Sequence, residues 1–140
     1  MTRRRFVLAA VVAASLAAVV FTSVRALTWA ASSQTIEVTM HHSRFEPSRF
    51  VVRRGATVRF VITNTDPIDH ELILGDEGVQ QRHETGTEPS HGAVPGEVSV
   101  PAGMVAETTY TFSRAGVVLI GCHAPGHYTY GMRGAVVVVY

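Results

Sequence analysis

Thr35-Ile36-Glu37-Val38-Thr39-Met40 alternates polar and apolar side chains without a break. Successive side chains of an extended chain point to opposite faces. The stretch therefore sets Ile36, Val38 and Met40 on an apolar face and Thr35, Glu37 and Thr39 on a wet one, as in a half-buried β-strand. The same period returns in Val58, Phe60 and Ile62 and stops at Asn64-Thr65-Asp66-Pro67, a turn composition. Pro47 and Gly55 bracket a short strand over residues 50–53. Residues 70–74 read as a strand ending at Gly75, and Glu97 to Val100 as one closed by Pro101-Ala102-Gly103. Residues 105–112, 117–120 and 135–139 complete the set. About eight short strands separated by turn residues, with no convincing helix, predict an all-β antiparallel sandwich. Residues 75–96 are the exception: they carry Asp, Glu, Gln, Gly, Pro and two His, and no strand pattern. A loop of that length in a small sandwich is functional or holds a helix of its own, and residues 79–83 could make one or two turns.

Before residue 31 the composition is different. Thr2-Arg3-Arg4-Arg5 is a basic start, and residues 6–21 are Ala, Val, Leu and Phe with one Ser. A run of sixteen residues suits a signal-peptide core and is slightly short of the ~20 that span a bilayer. Thr28-Trp29-Ala30 is a passable cleavage pattern, and Trp29 would equally suit a membrane interface. Residues 1–30 are thus expected to be a signal peptide or membrane anchor, and residues 31–140 a single domain beyond the cytoplasmic membrane. That domain is exported to the periplasm or held at the membrane's outer face, touching lipid only through an uncleaved leader. All 12 cations are Arg, and four precede residue 31, leaving 8 against 11 acids, about −3. A weakly acidic domain without a basic patch argues against nucleic acid.

Cys122 is the only cysteine, so no internal disulfide can form. It opens Cys122-His123-Ala124-Pro125-Gly126-His127-Tyr128-Thr129-Tyr130-Gly131-Met132, a loop between two strand-like runs with C-x4-H-x4-M spacing. A thiolate, two imidazoles and a weak axial thioether make a type 1 copper site. Sulfur donors suit Cu(I), imidazole suits both oxidation states, and a trigonal set needs little rearrangement when an electron arrives. The loop lacks one imidazole, and His70, opening a strand after the Asn64–Asp69 turn, is the best candidate to supply it. Zinc could take Cys122, His123 and His127, but a thioether is a poor zinc ligand.

The pattern Asn64…His70…Cys122…His127…Met132 closely resembles the cupredoxin family of plastocyanin- and azurin-type blue copper proteins. Arg44-Phe45-Glu46-Pro47…Gly55…Val58 looks like that family's first two strands, so the resemblance covers about residues 34–140. It implies a Greek-key β-sandwich and one type 1 copper held by His70, Cys122, His127 and Met132. The ligand spacing is similar to the last domain of multicopper oxidases. Those have His on both sides of the Cys, whereas here Gly121 precedes it. Glu71 stands where several blue copper proteins have Asn; on a strand it faces away from His70, so it is not expected to be a ligand.

The leading expectation is one-electron transfer between redox partner proteins, by a monomer that is not an enzyme, with His127 near the surface as the exit. A second is copper handling or resistance. Its motive is the surplus of His41, His42, His83, His91 and His123, which, with Glu84, could form a second, weaker metal site. A third has His123 coupling the copper to another site. Tyr128 and Tyr130 are expected to pack the rim of the copper loop, and Pro125-Gly126 to stiffen it.

Overall fold

The computed structural model describes residues 34–86 and 90–140. The expected leader helix and its cleavage site lie outside these residues. No helix among the described residues is long and apolar enough to cross a membrane.

Among the described residues, nine strands form two facing sheets. The first sheet has the order β2 (Arg44–Glu46), β1 (Gln34–His41), β4 (Thr57–Asn64), β7 (Val105–Thr111). The second has the order β3 (Arg49–Arg53), β9 (Arg133–Val139), β8 (Gly116–Gly121), β5 (His70–Gly75), β6 (Glu97–Val100). The chain passes between sheets after β2, β3, β4, β6 and β7, giving a Greek-key β-sandwich. The period-2 residues face each other across it. Ile36, Val38, Met40, Val58, Phe60 and Ile62 from one sheet and Leu72, Val98, Val100, Ile120, Val136 and Val138 from the other are buried in one core.

Three details depart from the sequence reading. The sandwich is mixed rather than antiparallel: β1 runs parallel to β4, with Ile36 opposite Phe60, and β3 parallel to β9. Period 2 fixes which face a residue takes and leaves strand direction open. Second, β2 is an additional strand, paired antiparallel to β1 through a two-residue loop of His42 and Ser43. Both have left-handed φ angles (50° and 53°), the type I′ geometry that matches sheet twist but normally selects Asn or Gly. Asp66 compensates, accepting the His42 amide on Oδ1 at 2.7 Å and the Ser43 amide on Oδ2 at 2.8 Å.

Third, the polar stretch after β5 does hold a helix of its own, α1 (Glu77–Thr85), longer at both ends than the turns expected over residues 79–83. Asp76 caps it by accepting the Val79 amide at 2.9 Å, and Glu77 and Arg82 suit its dipole ends. Apolar periodicity does not announce it because it docks through a polar side chain. Gln80 is buried and donates to the carbonyls of Ile73 (3.1 Å) and Leu119 (3.4 Å), tying the helix to β5 and β8. Gly75 lets it approach, since a Cβ there would overlap the Val79 side chain.

Candidate metal centre

Two elements carry the expected ligands to one end of the sandwich. His70 is the first residue of β5, and its side chain is fully buried. Cys122 follows the last residue of β8 and is also fully buried. The loop after it is folded on itself. Pro125-Gly126 forms a tight turn, with Gly126 at φ 83° and the His127 amide donating to the Ala124 carbonyl at 2.9 Å. The Met132 amide donates to the His127 carbonyl (2.9 Å), and the Cys122 amide to the Met132 carbonyl (3.2 Å). These bonds close the loop and tie the backbone of Met132, whose side chain is buried, to those of Cys122 and His127.

Three donor atoms converge. His70 Nδ1 is 3.2 Å from His127 Nδ1 and 3.9 Å from Cys122 Sγ, and His127 Nδ1 is 3.4 Å from Cys122 Sγ. A point equidistant from the three atoms lies about 2.0 Å from each, the length of a metal–imidazole bond (~2.0–2.1 Å) and about 0.3 Å short of a metal–thiolate bond (~2.3 Å). The donor set and its spacing therefore fit a metal ion of the soft-to-borderline kind that thiolate and imidazole select.

The surroundings fix the donors. Asp66 was read from sequence only as a turn residue; its Oδ2 also takes the His70 Nε2–H at 2.8 Å. That bond sets the ring's tautomer and leaves the Nδ1 lone pair facing Cys122 and His127, the usual task of a carboxylate behind a metal-binding imidazole. Burial alone would raise the Asp66 pKa. The Ser43 amide, the His70 ring and the His42 amide outweigh it and hold the carboxyl at about 2, so it is charged at neutral pH. Asn64, also buried, braces the turn: Nδ2 donates to the carbonyls of Ile68 (2.8 Å) and Val100 (2.9 Å), and Oδ1 accepts the Asp66 amide (3.0 Å). The only sequence signal for Asp66 was its position four residues before His70.

Cys122 Sγ accepts the Glu71 amide at 3.3 Å, an N–H aimed at a sulfur that carries charge only when ionised. Burial pushes the thiol up to about 11, against the partial relief of the Glu71 and Ala124 amides. Without a metal the thiol is therefore protonated at neutral pH, and a metal must displace the proton. His127 is shifted down, first by burial and then by His70, so its ring is neutral and its lone pair available. His127 is half-buried where His70 is fully enclosed.

The remaining candidates separate. His41 Nδ1 lies 3.0 Å from Thr65 Oγ1, its ring 3.8 Å from that of His42, and neither joins a group of metal-ligating side chains among the described residues. His123 turns away from the triangle: Nε2 donates to Gln80 Oε1 (2.8 Å), Nδ1 is 2.9 Å from Glu84 Oε2, and the ring stacks on Tyr128. Both its nitrogens are thereby engaged by α1. Gly121 leaves no room for the second histidine of an oxidase, because Gln80 and the Tyr128 ring fill the space a Cβ would need. Tyr128 packs there under Arg133, whereas Tyr130 is 81% exposed.

Fold and site together define a small β-sandwich domain with a His–Cys–His centre, and a family model described as "Cupredoxin-like domain" matches residues 8–130. The chain belongs to the cupredoxin family. It is 41% identical over 113 residues to the copper-resistant cuproprotein CopI of Rubrivivax gelatinosus, covering 78% of this chain and 68% of that protein. It is 31% identical over 141 residues to the copper-resistant cuproprotein CopI of Pseudomonas aeruginosa, covering 78% of each. Among solved structures it is similar in fold to the auracyanin of Roseiflexus castenholzii (TM-score 0.65, 23% identity, 77% of this chain and 98% of that one).

Proposed function

We propose that the protein is an extracytoplasmic type 1 copper protein that holds one copper through His70, Cys122, His127 and Met132. The observation that carries this reading is the triangle of His70 Nδ1, His127 Nδ1 and Cys122 Sγ, with a centre about 2.0 Å from each donor. Copper in such a set supplies reversible one-electron chemistry between Cu(II) and Cu(I). The chain's own residues do the rest. Asp66 holds His70 in the tautomer that offers Nδ1, and the Glu71 amide stabilises the thiolate. Buried Met132 would offer its thioether as a weak fourth donor, and His127, the less buried of the two imidazoles, would be the route for an electron. One-electron exchange with partner proteins, without a catalysed reaction on a substrate, is the function this arrangement serves. The basic, apolar leader supports a location outside the cytoplasmic membrane.

Copper resistance is the second reading, supported by the two relatives of that description. It uses the same centre to sequester copper rather than to pass electrons. Visible and electron-paramagnetic-resonance spectra of copper-loaded wild type and Cys122→Ser test the centre. Wild type should show an intense thiolate-to-copper band that the variant lacks, and a band retained in full by the variant would remove Cys122 as a ligand. Copper tolerance of a host lacking the protein, complemented by wild type or Cys122→Ser, separates the readings. Restored tolerance by wild type alone favours resistance, and unaltered tolerance in all three strains favours electron transfer.

A further inference from the structure

Beneath α1 lies a cavity of about 320 Å³ whose polar lining is Glu71, Arg82, His83, His91, Glu97 and His123, on the opposite side of β5 from the His70 side chain. Three ligating groups meet there. His83 Nε2 is 3.4 Å from Glu97 Oε2, His91 Nδ1 is 3.6 Å from the same oxygen, and one donor atom from each of the three residues lies within 4.8 Å of the others. Two donors bound to one cation at ~2.1 Å stand about 3.0 Å apart at the right angle of a tetragonal site and about 3.4 Å apart at a tetrahedral one, so a shift of about half an ångström brings these groups to the spacing of a tetragonal ion. His83 is held in the required tautomer: Nδ1 donates to the Val79 carbonyl at 2.9 Å, one turn back on α1, leaving Nε2 as the lone pair facing Glu97. His91 is fixed by reciprocal bonds to β6, its amide to Ser99 Oγ (2.8 Å) and the Ser99 amide to its carbonyl (3.0 Å).

A second observation points to a cation. Glu71 Oε2 is buried in this cavity without a hydrogen-bond partner among the described residues, and His91 Nε2 lies 3.8 Å from it. A carboxylate oxygen removed from water and left unbonded is costly, and a divalent ion would satisfy it.

We propose that His83, His91 and Glu97, with Glu71 at the rim, form a second metal site that takes Cu(II). It has no thiolate and is therefore spectroscopically distinct from the Cys122 centre. Two imidazoles and a carboxylate favour Cu(II) over the other first-row divalent ions. Glu71 joins the two centres: its amide donates to Cys122 Sγ and its carboxylate faces the second site, so filling one site bears on the electrostatics of the other. The inference rests on the reading of the Cys122 centre as copper-binding only in its choice of ion.

The test is titration of the purified protein with Cu(II), following the thiolate band and the paramagnetic signal together, in wild type, His83→Ala/His91→Ala and the milder Glu97→Gln. Wild type should bind two coppers. The band should saturate at one, and the second should give a separate signal with no thiolate colour. Both variants should keep the band, which reports that they are folded, and bind one copper. Wild type that binds a single copper overturns the proposal, as do variants that still bind two. Absence of the thiolate band from wild type would count against the Cys122 centre. The loss of one copper equivalent between wild type and Glu97→Gln would still decide the second site.

Discussion

Asp66→Ala separates what the fold needs from what the metal centre needs. The carboxylate makes three bonds of 2.7 to 2.8 Å, to the His42 amide, the Ser43 amide and His70 Nε2. Hydrogen bonds to a charged partner contribute roughly 1.5–3 kcal/mol each, and removing the carboxylate cannot cost the full sum. The amides of His42 and Ser43 sit on an edge hairpin where water can replace the carboxylate, so a loss of ~2–4 kcal/mol in the apo domain is expected. The His70 bond acts on the metal. Without it the ring is free to rotate and to place its proton on Nδ1, and loss of such a partner lowers metal affinity by ~10–100-fold. Copper affinity measured against a competing chelator, beside urea unfolding of the apo protein, should show both losses. Asp66→Asn keeps a neutral acceptor and should fall between Asp66→Ala and wild type on both scales. A variant Asp66→Ala with wild-type copper affinity and an unaltered visible spectrum would refute the assignment of Asp66 as the group that orients His70.

Asn64→Ala strands the carbonyls of Ile68 and Val100 and frees the Asp66 turn; at ~1–3 kcal/mol per unsatisfied buried group, urea unfolding should show a loss of about 2–4 kcal/mol. Met132→Leu replaces the axial thioether by an apolar group that favours Cu(I), so copper should be retained and the reduction potential should rise; voltammetry showing an unchanged potential would count against an axial role. In the apo protein the folded state holds the Cys122 proton more tightly than the unfolded chain, with a pKa of about 11 against 9.0. Stability should be intact below pH 9 and fall by roughly 2–3 kcal/mol as pH rises to 11, a loss absent from Cys122→Ala in pH-dependent unfolding.

The strands and the metal loop were legible because each has a local signature. Ile36, Val38 and Met40 repeat at period 2, and Cys122, His127 and Met132 lie within one short loop. What stayed hidden depends on partners distant in sequence. The β1–β2 hairpin turns on His42-Ser43, a pair with no turn preference of its own, because Asp66 bonds both amides from 23 and 24 residues away. Helix α1 has no apolar stripe, because its anchor is the buried amide of Gln80 on the carbonyls of Ile73 and Leu119. The parallel pairing of β1 with β4 leaves no trace in either strand's pattern. Surplus histidines were visible in composition, but only the fold divides them. His83 and His91 come together on Glu97, His123 is held by Gln80 and Glu84, and His41 and His42 stay apart on the hairpin.

That division follows from the pleat of one strand. In β5, His70 points into the sandwich toward Cys122 and His127, and Glu71, the next residue, points out beneath α1 toward His91. Adjacent residues on opposite faces of a sheet cannot share a ligand sphere, so Glu71 is kept from the Cys122 centre by geometry. The backbone between them still touches both, since the Glu71 amide bonds Cys122 Sγ. An electron carrier needs only the inner face of β5. A polar helix docked by Gln80, a histidine locked by its own helix carbonyl and a buried unbonded carboxylate add nothing to electron transfer through His127. They do make sense in a protein that takes up copper as an ion, because an imidazole–carboxylate site beside the thiolate gives Cu(II) a second place to bind. A requirement for His83, His91 and Glu97 in copper tolerance, with the thiolate band intact in each variant, would favour the resistance reading over simple electron carriage.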